Sequence, residues 1–184
     1  MSEVATVERV MTAVEEIFSQ LDALCGLPEE LLSRRPGRED AWTIAEHLEH
    51  VALADHFLLL TIGKGCRTAL KRKAAGAVVE GESDLEPLAA IADPDAFAWA
   101  PPRHMIPTGL PGVREIRERL GEQRQRCHEL LEGMREGEGR LCRIRMSVNR
   151  SGWLDMYQWL YFLVQHARYH AVLIERVLDE LGGA

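Results

Sequence analysis

Apolar residues recur along this chain at spacings of three and four, and the rhythm marks out four long helices. Val4, Val7, Met11, Val14, Phe18 and Leu21 form the first stripe, over roughly 3–24, which stops at Gly26-Leu27-Pro28. A polar link, Ser33 to Gly37, follows. The second stripe is Ile44, Leu48, Val51, Ala54 and Leu58. Thr43 followed by Glu46 fits a capping box that starts this helix, with Trp42 just before it. The helix ends near Gly63 or runs on irregularly toward Ala75. Val113, Ile116, Leu120, Cys127, Leu130 and Met134 carry a third helix over about 111–134, although its central inward positions, near Gln123 and Arg124, are polar. The segment 137–150 is rich in Gly and Arg, with a weak strand-like alternation at Leu141, Ile144 and Met146. A strongly apolar last helix spans Trp153 to Leu181, capped by Ser151 or Gly152 and ended by Gly182-Gly183.

The rhythm fails between about 75 and 111, where Gly76, Gly81, Pro87, Pro94, Pro101, Pro102, Pro107 and Pro111 fall. A structureless connection this long in a compact domain is often functional. Phe97, Trp99 and Met105 would make it a lid, a pocket wall or simply a cover for the bundle. Four helices with one long crossover between the second and third predict an all-α four-helix bundle. A length of 184 residues suits one domain, 1–184, with 76–111 as a loop or insert over the bundle.

Charge and cysteine usage narrow the function classes. A formal net charge of −7 argues against an electrostatic nucleic-acid binder. The one basic cluster, Lys64, Arg67, Lys71, Arg72 and Lys73, suits a helix C-terminus, where cations complement the dipole. No apolar run is long enough to span a membrane, and the N-terminus has no signal-peptide core. Cys25, Cys66, Cys127 and Cys142 are scattered without a C-x-x-C and read as reduced thiols. The expectation is a cytoplasmic protein.

The candidate chemistry lies in the last helix. His166 and His170 are four apart, on the face that carries Trp159, Phe162, Leu163, Leu173 and Val177. Neutral imidazoles still want partners in a dry interior, and a metal ion is one reason to bury two of them. The alternative is a pair of satisfied core histidines. A third ligand would come from His47, His50 or His56 on the second helix, His104 in the loop or His128 on the third. Periodicity alone selects His47. The cap offers a competing role for it, because Trp42 and His47 occupy the two positions of a hydrophobic staple. His50, at the edge of the stripe, would then face an inter-helix cavity. On the residues alone the choice between His47 and His50 stays open.

The run from Trp42 to Val51, followed far downstream by His166-Ala-Arg-Tyr-His170-Ala-Val-Leu-Ile174, resembles the DinB/YfiT-like superfamily. Members are four-helix bundles in which three histidines hold a divalent metal. One lies eight residues after a Trp-Ser/Thr cap; the other two form His-x-x-x-His on the last helix. The resemblance implies His50, His166 and His170 as ligands. It covers most of the chain, and the length and proline content of 76–111 depart from it.

Three imidazoles leave an open coordination position, the arrangement of a catalytic site. Imidazole suits zinc, nickel, copper and iron, with zinc or nickel expected here. A water bound to zinc can have its pKa lowered to about 7, and a bound thiol is activated likewise. The resemblance therefore implies a small-molecule hydrolase, or an S-transferase using a low-molecular-weight thiol. No general base stands out, although Tyr157, Tyr161 and Tyr169 are close in sequence. The rival expectation is a non-catalytic module with a structural metal or none, working through dimerisation. A homodimer is expected on either reading.

Overall fold

The computed structural model describes residues 3–38, 41–96, 100–146, 148 and 151–182. Four helices form the bundle: α1 (Glu3–Cys25), α3 (Ile44–Ala74), α5 (Val113–Glu132) and α6 (Met156–Gly182), with a short α2 (Glu29–Ser33) and α4 (Glu86–Ala89) between them. α1 packs against α5 and α6, α3 packs against the same two, and α1 and α3 sit diagonally. Val10, Val14, Ile17 and Leu21 of α1 meet Leu120, Leu131, Leu160, Leu163 and Ile174 in one core.

The cap at the start of α3 is complete. Glu46 N donates to Thr43 Oγ1 at 3.1 Å, and Thr43 N donates to the Glu46 carboxylate at 2.7 Å. Past this cap α3 does not stop at Gly63. It continues to Ala74, with Lys71, Arg72 and Lys73 in its last turn, where they complement the dipole. Gly65 is one reason it must stay slim there: a Cβ at that position would collide with the Met156 side chain at the start of α6.

The last helix begins later than its apolar stretch suggests. Gly152–Asp155 is a strand, paired antiparallel with Arg143–Met146 in the register Ile144↔Leu154. Gly152 takes φ 75°, which a side chain would resist, and Trp153 points outward at 65% exposure. Asp155, rather than Ser151 or Gly152, closes the helix start, because its Oδ1 accepts from Tyr157 N and Gln158 N. Hairpin geometry thus overrides the apolar run. Gly183 lies outside the described residues, as does the side chain of Val4.

The 75–111 connection is not structureless. It holds α4 and single 3-10 turns at Ala90–Ala92 and Arg103–Met105. Leu85, Leu88 and Ile91 are buried in the main core, and α4 and the first turn pack on α6. Phe97 and Trp99 lie outside the described residues. The polar middle of α5 finds partners on neighbouring helices: Gln123 donates to Ala52 O at 2.8 Å and Arg124 pairs with Glu15. No helix among the described residues is long and apolar enough to cross a membrane.

Candidate metal centre

α3 and α6 run antiparallel where their histidines meet, and the rings form two rungs. His50 Nε2 lies 3.3 Å from His166 Nε2, and His47 Nδ1 lies 3.1 Å from His170 Nδ1. The spacing of three on α3 against four on α6 aligns the rungs, since both fall within about one helical turn. His50, His166 and His170 each offer a ligand nitrogen, and these atoms all lie within 4.8 Å of one another. All three residues are buried. The cluster can therefore hold a metal ion.

The residues present fit such an ion on two counts. First, burial holds the imidazoles neutral, so their lone pairs are free for coordination. Desolvation lowers the pKa of His50, lowers that of His166 to about 3, where the neighbouring His50 adds to the effect, and lowers that of His170 well below the usual value. Second, His170 Nε2 is enclosed and has no hydrogen-bond partner. Buried polar atoms in native proteins are seldom left this way.

A loop carbonyl fixes the orientation of His50. Its Nδ1 lies 2.7 Å from Met105 O. A carbonyl can only accept, so Nδ1 carries the proton and Nε2 presents the lone pair. The neighbouring Glu49, 3% exposed, fastens the same loop. It accepts from Thr108 N at 2.8 Å, Thr108 Oγ1 at 2.7 Å and Gly109 N at 2.8 Å. Trp42 lies against the cluster, with its ring 5.3 Å from His47, 5.0 Å from His50 and stacked on His170 at 6.1 Å. The staple contact and the cluster contact of His47 therefore coexist.

Above the histidines lies a cavity of about 430 Å³ with mostly apolar walls, among them Trp42, Leu58, Pro101, Met105, Phe162 and Leu173. Met105 is thus a pocket wall, as its place in the loop suggests. Tyr169 lines the cavity and packs on His170 with ring centroids 5.1 Å apart. Tyr157 and Tyr161 do not reach it: Tyr157 OH donates to Met134 O, and Tyr161 lies under Arg9.

The remaining histidines are elsewhere. His104 packs on Phe57, His56 lines a separate groove beside Arg67 and Arg126, and His128 pairs with Glu15. All four cysteines are free and buried. Burial pushes the Cys25 thiol up to about 11 and the Cys66 thiol up to about 12, so neither is a ready nucleophile. Sequence reasoning missed Glu49 and the Met105 carbonyl. Glu49 falls outside the apolar stripe of its helix and so carries no sequence signal, and nothing marks a backbone carbonyl.

Neither a curated protein nor a solved structure matches the chain significantly. A family model does: that of the DinB superfamily aligns with residues 13–174, from the first bundle helix to the last and across every histidine of the cluster. The chain belongs to the DinB superfamily.

Proposed function

We propose that this protein is a metal-dependent enzyme acting on a small molecule, in which His50, His166 and His170 hold a divalent transition metal, zinc or nickel before others. The observation that carries the reading is the convergence of three neutral imidazoles at the base of an apolar cavity. A closed structural site would use a fourth protein ligand; three leave room for a reactant. When bound, the ion supplies Lewis acidity that lowers the pKa of a water or thiol held beside it. Hydrolysis and thiol S-transfer both follow from that one property.

The chain's own residues do the rest. His50 is oriented by Met105 O, and the loop bearing that carbonyl is fastened by Glu49. The apolar walls exclude bulk water and select a substrate with an apolar body. A low dielectric around the ion strengthens every charge interaction there.

The reading is tested by loading the purified protein with Zn²⁺ or Ni²⁺ and assaying a panel of esters, amides and thiol-transfer pairs. Turnover on one class is expected, lost on chelation and in His170→Ala, with helical content retained. Turnover that survives chelation and the substitution would overturn it.

A further inference from the structure

We infer that His47 is a positioning residue for the metal centre: it accepts a hydrogen bond from His170 Nδ1 and so holds His170 in the tautomer whose Nε2 is a bare lone pair. The inference rests on the proposed metal role of the cluster. It assigns to His47 neither ligation nor a merely packing role.

The geometry leaves little choice. The two Nδ1 atoms are 3.1 Å apart, and His47 stands outside the group that would share an ion, so this contact needs one proton between the nitrogens, since two lone pairs or two N–H groups would repel. If His47 supplied that proton, His170 would carry its own on Nε2. That atom is enclosed and has no acceptor, so it would become a buried orphan donor, an arrangement native proteins avoid. If His170 supplies it, Nε2 is bare and ready for an ion. Metal-bound histidines commonly donate their second ring nitrogen to a carboxylate or carbonyl. Here Met105 O does this for His50, and a fourth imidazole does it for His170.

His47 is built for the task. It is 7% exposed and packs edge-on against Trp42. It stands apart from the three histidines whose ligand atoms lie within 4.8 Å of one another.

Two variants and a spectrum test this. His47→Ala removes the acceptor; His47→Asn places a carbonyl oxygen near the former Nδ1. Zn²⁺ titration of the full chain should give one ion per chain in the wild type. His47→Ala should bind about 10–100-fold more weakly at unchanged stoichiometry, and His47→Asn should recover most of the loss. The Co²⁺-substituted spectrum should keep its band positions in both variants, because no ligand has gone. In the metal-free wild type, ¹⁵N NMR should find the His170 proton on Nδ1, with the tautomers mixing in His47→Ala. Unchanged Zn²⁺ affinity in His47→Ala would overturn the inference, as would a shifted Co²⁺ spectrum, which would make His47 a ligand. Absence of Zn²⁺ binding by the wild type would instead remove the metal reading and this inference with it.

Discussion

Within three turns of α3 the bundle buries two sorts of ionisable group on quite different terms. His47 and His50 meet His170 and His166 across the helix pair, and a loop carbonyl takes the outer nitrogen of His50. Asp55 lies one and a half turns further on, 0% exposed, and neither carboxylate oxygen has a hydrogen-bond partner. Desolvation alone raises its pKa well above the usual carboxylate range. The histidines adjoin a cavity and converge; Asp55 lies near Cys127, apart from the cavity's walls and from the ligand cluster found among the described residues. Burial of a polar group is thus not itself a mark of function. Convergence of lone pairs beside an accessible space is the mark.

Acid should separate the two groups most sharply. The cluster histidines have folded pKa values below their unfolded value near 6.5, so the unfolded chain binds more protons between those limits. Their contribution is complete above about pH 6.5 and is lost as pH falls toward the folded values, about 4 for His47 and about 3 for His166. Each group contributes a slope of about 1.4 kcal/mol per pH unit. The metal-free protein should therefore unfold steeply below pH 6, as followed by circular dichroism in urea at stepped pH. A flat profile from pH 7 to 5 would mean that the histidines are solvated.

Next in size is the loss of a ligand. His170→Ala should weaken Zn²⁺ binding by more than about a hundredfold, beyond the range typical of outer-shell changes. Competition with a chromophoric chelator measures it.

Asp55 should respond in the opposite sense. A carboxyl with a raised folded pKa costs stability as pH rises above its unfolded value, because the folded state then holds the extra proton. Asp55→Asn should stabilise the protein at neutral pH by about 1–3 kcal/mol, with the gain growing as pH rises. Urea midpoints at pH 5 and 8 would check it, and destabilisation at both would reveal an unrecognised partner for the carboxylate.

The smallest effect expected is at the loop. Glu49→Ala removes three hydrogen bonds to Thr108 and Gly109, and trypsin should cut after Arg103 about tenfold faster. Equal cleavage rates would show that the loop is held by other contacts.

Much of this arrangement was legible in the sequence because it is written in side chains. The Thr43–Glu46 box, the stripes of α1, α3 and α5, and the His-x-x-x-His of α6 all use periodicities that survive without a fold. Periodicity puts His47 on the buried face and the staple pairs it with Trp42, and in the structure its ring meets both Trp42 and His170. What stayed hidden depends on backbone groups or on long-range register. The 152–155 strand reads as helix until its pairing with 143–146 is known. Leu85, Leu88 and Ile91 look like loop residues because turns this short have no period. The Met105 carbonyl has no sequence signature at all.

The central claim is that His50, His166 and His170 together hold one metal ion. Elemental mass spectrometry on untagged protein tests it most directly, with wild type compared to a His50→Ala/His166→Ala double variant after incubation with Zn²⁺ or Ni²⁺. The account predicts about one ion per chain in the wild type and none in the variant, in keeping with an open three-histidine site. Equal metal content in the two proteins, or none in either, would contradict it.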